Sequence, residues 1–239
     1  MGVPSSVASS ICVRRMKMST TERLRGGFYV DGFNLYHALD DIKKPYLKWL
    51  SLRRLAERVA KGHAHSIDHL VFCTAFFPGD FGKRKRHDAY NAAQAAQGSR
   101  IVLGHTTTEP MSCKGCGRLW GQPREKETDI NVALSAFHDV AAGLVDVVFL
   151  VTADTDQAAT LRFLRDHHPL VKRIVVTPPG REKSKHLRDL SDANPALREA
   201  DIDACILPDM FNGTSGKLIV RPKEYAPPPG WVHPDERPR

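Results

Sequence analysis

No stretch of the chain approaches the about twenty consecutive apolar residues that a membrane-spanning helix requires. The nearly unbroken apolar stretch at residues 145–151, interrupted by Asp146, is strand-sized. Cysteine is scarce: there are five, an odd number, scattered except for Cys113 and Cys116. That excludes the disulfide framework of a small secreted domain and suits a reducing compartment, the cytoplasm. Residues 1–25 do not read as a secretory leader, whose basic part comes first, since Arg14, Arg15 and Lys17 follow the mildly apolar residues 3–13. They read as an extension, or as residues upstream of a start at Met16 or Met18. No internal repeat recurs along the chain, which argues against a solenoid or propeller.

What is present is an ordinary globular composition, 41% hydrophobic and 26% charged, with an excess of basic residues that gives a net charge of +8. A basic balance favours an acidic partner, and nucleic acid is the commonest one. The 239 residues suffice for one good-sized core. Residues 26–210 read as that domain, residues 1–25 as a flexible extension and residues 211–239 as a Pro-rich, charged and flexible tail.

Within the domain, short apolar runs alternate with segments of helical spacing. Strands are predicted at 27–31, 68–77, 100–106, 145–152 and 172–177, with a last short one at 204–207. Helices are predicted at 33–39, 51–60, 81–97, 128–142, 156–167 and 184–190. The helix from residue 128 has the clearest periodicity, with apolar residues at 130, 133, 134, 137, 140 and 141. Residues 107–124 read as an irregular insert carrying the paired cysteines. The alternation argues for an open parallel α/β sheet.

Two segments carry the chemistry. VDGFNLY at 30–36 and LVTADTD at 150–156 each place a carboxylate just past the C-terminal end of an apolar strand. Sites in doubly wound sheets form at that edge. If the two strands are neighbours, Asp31, Asp154 and Asp156 converge. Singly, each has a plain structural role, as a turn residue for Asp31 and as helix caps for the other two. Together they would repel one another unless a divalent cation neutralised them, and hard oxygen ligands suit Mg²⁺ or Mn²⁺. A third segment, REKETDINVAL at 124–134, adds Glu125, Glu127 and Asp129 at a helix start, where acids also offset the helix dipole. Asn34 could orient Asp31, contact a phosphate or cap a helix. Thr152 could hydrogen-bond a water or phosphate, or be an ordinary strand residue.

At these residues the chain resembles the NYN domain, a branch of the PIN-like nuclease superfamily. VDGFNLY is similar to that family's first-strand motif, EKETDINVAL to its central helix start and LVTADTD to its Ser/Thr-x-Asp-x-Asp segment. Gln157 and Ala153 depart from the residues common there. The resemblance implies a Rossmann-like sheet of strand order 3-2-1-4-5 with helices on both faces. It also implies Mg²⁺- or Mn²⁺-dependent hydrolysis of RNA phosphodiesters by metal-activated water. Asp31, Asp129, Asp154 and Asp156 match the metal-binding acids, with Asn34 beside them. The alternative is an RNA-binding or regulatory module that keeps the fold without catalysis. A phosphohydrolase using a DxD nucleophile after its first strand fits poorly, because Asp31-Gly32-Phe33 stands there.

An acidic centre repels RNA, so surrounding positive charge must supply the attraction. Lys83, Arg84 and Arg86 near the start of one helix, and Arg181, Lys183 and Lys185 after the fifth strand, are the candidate RNA contacts. A solvated helix face is the plainer reading of any one of them. CKGCG at 113–117 resembles half a zinc knuckle. No second CxxC exists, so a structural zinc would need His105, or a second copy of the chain in a homo-oligomer, to complete it. A loop disulfide, a redox pair and a plain hairpin are the other readings.

Overall fold

A computed structural model describes residues 23–76, 80–214 and 216–238, apart from the Pro123 side chain. The chain opens with β1 (Arg25–Asp31), α1 (Gly32–Asp41), α2 (Leu52–Ala60) and β2 (Ser66–Thr74). There follow α3 (Phe81–Ala96), β3 (Arg100–Leu103), β4 (His105–Ser112), β5 (Leu119–Lys126) and α4 (Thr128–Ala141). Then come β6 (Val147–Val151), α5 (Ala158–His167), β7 (Lys172–Val176), α6 (Lys185–Arg188) and α7 (Glu199–Asp203). A small hairpin of β8 (Met210–Asn212) and β9 (Leu218–Val220) precedes the C-terminal segment. Of the expected extension, residues 1–22 lie outside the described residues; Leu24 already packs on the core and Arg25 already belongs to β1.

Five parallel strands form the central sheet in the order β3-β2-β1-β6-β7. The chain numbering therefore departs from 3-2-1-4-5, because β4 and β5 pair antiparallel in a separate two-stranded hairpin inserted between β3 and the last two sheet strands. Successive side chains of a strand point to opposite faces. Phe28 and Val30 accordingly join one core with α1 and α2, while Tyr29 joins a second core with α4 and α5. All of β6 is buried, as a central strand covered on both faces must be.

Two of the predicted elements are corrected, and the face of a third is settled. Residues 107–124 are not irregular, since Thr107 to Ser112 pair with Leu119 to Arg124 as strands. His105 to Glu109 is an unbroken polar run, which suits a hairpin wet on both sides and gives no apolar strand signal. On α4 the buried side is Val132, Ala136 and Val140, while Ile130 and Leu134 are 60% and 59% exposed. Two apolar stripes share that helix, and periodicity alone cannot say which one meets the sheet. No strand forms at 204–207; Ile206 makes a single antiparallel bridge to Leu50 after α7.

The C-terminal segment is packed, not a loose tail. Tyr225 is buried in the first core. The Trp231 ring meets Tyr46 edge-on at 5.5 Å, and its Nε1 donates to Asp203 at 2.8 Å. Arg221 donates to the Leu207 carbonyl at 2.9 Å. Proline and charge counts overlook such burial, because two aromatic anchors outweigh the entropy of a segment already stiffened by proline. Trp231→Ala should therefore lower stability by about 2 kcal/mol, read as the shift of a urea midpoint. No shift would restore the loose tail.

Candidate active site

The register of the sheet makes the site. Val30 pairs with Val151, so the residues that follow, Asp31 and Thr152, leave two neighbouring strands side by side. At Gly32 an added Cβ would come 2.5 Å from the Cys73 carbonyl, so only glycine lets α1 start this close to β2. Asp31 caps α1, its Oδ1 accepting the Asn34 N–H at 3.0 Å. Its other oxygen accepts the Thr152 hydroxyl at 3.2 Å, and that hydroxyl in turn accepts the Asp154 N–H at 3.0 Å. Asn34 Oδ1 accepts the Ala153 N–H at 2.9 Å. The two strand-end segments are thus tied together by two hydrogen bonds, Thr152 to Asp31 and Ala153 to Asn34, and Asn34 and Thr152 are the side-chain ties.

Asp129 arrives from the start of α4. The turn before it is tight, for Glu127 holds a left-handed φ of 77° that costs a non-glycine residue about 1 kcal/mol. Glu125 caps the Thr128 N–H at 2.8 Å. Gln157, buried at 2% exposure, donates to the Asp129 carbonyl at 3.0 Å and accepts from Thr160 at 2.8 Å. It holds the α4 start against the Asp154 turn, a structural use for a residue that departs from the family pattern.

Asp31, Asp129, Asp154 and Glu125 line one cleft of about 270 Å³, with Asn34, Phe33 and His37 from α1 on its wall. Burial pushes the Asp31 carboxyl up to about 7, and the nearby Asp129 and Asp154 charges add to this against the Asn34 and Thr152 hydrogen bonds. Burial also raises Asp129, with Asp154 and Glu125 next in effect. Among the described residues no three His, Cys, Asp or Glu side chains are drawn together tightly enough to enclose an ion. The carboxylates face a common space without closing on it. Their chemistry, all hard oxygen and partly stripped of water, is of the kind that suits a hard divalent cation.

No family model matches the chain. It is 25% identical to 6-hydroxy-3-succinoylpyridine 3-monooxygenase HspA of Pseudomonas putida, over 86% of this chain and 76% of that protein. Its structure is similar to that of a protein of unknown function from Vibrio parahaemolyticus, with a TM-score of 0.50 and 18% identity, covering 76% of this chain and 98% of the other. That likeness concerns the fold alone.

The remaining expected residues divide. Asp156 is exposed on the turn after Asp154, its N–H donating to Asp154 Oδ1 at 2.9 Å, and it does not line the cleft. Arg181 does line it, paired with Asp41 at 2.8 Å. Lys183 and Lys185 are exposed beside it in sequence. Lys83, Arg84 and Arg86 line a second pocket next door. Cys113 and Cys116 sit at the far end of the β4–β5 hairpin as free thiols. His105 lies at the other end of β4, about 26 Å away at the rise of an extended strand. It faces Glu127 at 3.1 Å and cannot be a third ligand. His37 and Phe33 were not singled out by the sequence reading, though they lie four apart and His37 lies three from Asn34, the spacing of one helix face.

Proposed function

We propose that this chain is a divalent-metal-dependent ribonuclease. The observation that carries the proposal is the convergence of Asp31, Asp129 and Asp154, from three separate segments, on one cleft at the C-terminal edge of a parallel sheet. The sequence resemblance to NYN domains supports the same reading. Asp31, Asp129 and Asp154 would hold the cation, with Glu125 at its margin. When bound, a divalent cation there would activate water and screen phosphate charge. Asn34 and Thr152 keep the Asp31 and Asp154 segments in register, and Arg181 offers a guanidinium to a phosphate oxygen. Asp156 acts through the charge it places near Asp129. The Cys113–Cys116 pair offers two of the four ligands a closed zinc site needs, so a structural zinc there requires a second copy of the chain.

Labelled single-stranded RNA incubated with the protein should be cut in Mg²⁺ or Mn²⁺ and left whole in EDTA. RNA bound but not cut would favour the non-catalytic module. A second reading follows from the Pseudomonas relative, whose name specifies oxygenation of a hydroxylated pyridine. Consumption of that pyridine with dioxygen and a reductant, and no RNA cleavage, would establish it. No helix among the described residues is long and apolar enough to cross a membrane, and the free thiols suit a cytoplasmic protein.

A further inference from the structure

Beside the acidic cleft lies a second cavity of about 280 Å³, close to the lower end of ligand-binding pockets. It shares Phe33 and His37 with the cleft, so one α1 face walls both. Its remaining surface has two characters. Tyr36, Phe72, Tyr90 and Tyr225 supply flat apolar walls, and Lys48, Lys83, Arg84 and Arg86 supply positive charge.

The polar groups inside are poised for a ligand. Among the described residues the Tyr90 hydroxyl has no hydrogen-bond partner, although burial raises its pKa far above the usual phenol range. His87 binds Thr74 Oγ1 through Nε2 at 2.9 Å, and among the described residues no hydrogen bond engages its Nδ1. Burial lowers its pKa, so the ring is neutral and can donate at one nitrogen and accept at the other. Three of the cations are partly engaged: Lys48 with Asp40, Lys83 with Asp80 at 4.0 Å and Arg86 with Glu224 at 2.9 Å. Arg84 has no carboxylate partner among the described residues; its guanidinium lies over the Phe76 ring at 4.5 Å.

We propose that this pocket receives an unpaired nucleobase of the RNA strand whose phosphodiester lies in the acidic cleft. The proposal rests on the ribonuclease reading and adds a subsite to it. Aromatic walls suit the faces of any base, the Tyr90 hydroxyl and His87 suit its edge, and Arg84 suits the neighbouring phosphate. The shared Phe33–His37 wall places the held base next to the acidic cleft. A separate base pocket also answers the electrostatic difficulty of the site, because cations at the pocket draw in a strand that the carboxylates would repel.

The test uses the full chain, a short RNA and the same oligonucleotide with abasic sugar positions, with binding read by fluorescence anisotropy in EDTA. RNA should bind about tenfold tighter than the abasic strand. Tyr36→Ala, at a 36% exposed position, should remove most of that difference. Tyr90→Phe should lower affinity for some bases more than others, and a packing role alone would not change base preference. Equal affinity for RNA and abasic strand, with wild-type cleavage intact, would overturn the pocket and leave the ribonuclease reading standing. Base-dependent binding without any metal-dependent cleavage would support the pocket and overturn the ribonuclease reading. Binding of the hydroxypyridine acid with none of RNA would overturn both.

Discussion

Asp154→Asn should lower metal-dependent RNA cleavage at least about 100-fold without weakening RNA binding. Changes to groups that merely support a metal ligand commonly cost 10- to 100-fold in activity or metal affinity, and a ligand itself should cost more. Asparagine keeps the Oδ1 that accepts the Asp156 N–H, so the turn after β6 is retained. What is lost is one negative charge from a cleft that also holds Asp31 and Asp129. RNA binding should hold or tighten, because that charge repels phosphate. Cleavage rates in Mn²⁺ and anisotropy in EDTA, measured on both proteins, separate the two effects. Full cleavage by the variant would remove Asp154 from the catalytic set.

The second large effect is on stability. Asp31 has a folded-state pKa of about 7 against an ordinary 3.8, so between those values the folded protein binds more protons than the unfolded chain. Stability must then fall as pH rises from about 4 to about 7, and stay low above that. The loss is on the order of 4 kcal/mol, the free-energy equivalent of that shift in a group this deeply buried. The carboxylates of Asp146, Asp203 and Asp235 are held low by Arg25, by Trp231 with Arg237 and Tyr46, and by Arg54, and they act in the opposite sense at lower pH. Asp31→Asn isolates the term. It keeps the α1 cap and can still meet Thr152, but carries no charge. At pH 8 the variant should melt well above the wild type, and near pH 4 the two should nearly coincide. Mg²⁺ should narrow the gap at pH 8 by stabilising only the wild type. Parallel melting curves across the range would show that Asp31 ionises freely.

These two outcomes read activity and stability separately, at two carboxylates of one cleft. A carboxylate that is costly to bury persists where its charge has a use, and the Asp31 site has the form of that trade.

Much of the site was legible because its parts are local. Asp31 and Asp154 each stand one or three residues beyond an apolar strand, and a strand end is a local pattern. Gly32 beside Asp31 marks a close backbone approach that side-chain space demands. Gln157 looked like a departure from a motif, and only its two hydrogen bonds reveal a brace between the α4 start and the Asp154 turn. Asp156 shows the reverse case. It belongs to the same motif as Asp154, yet the turn between them sends it to solvent. The β4–β5 hairpin left no apolar trace, and the aromatic pocket draws on α1, α3 and Tyr225, segments too far apart in the chain for any motif to unite.

By itself the sequence determined the alternation of strands and helices, the positions of the acids at strand ends and the basic balance, since propensity, hydrophobic period and charge are properties of neighbours along the chain. Only the tertiary structure decided which α4 stripe meets the sheet, that the C-terminal residues pack, and which acids share a cleft. Those outcomes depend on burial and sheet register, where contacts between distant segments compete for the same space.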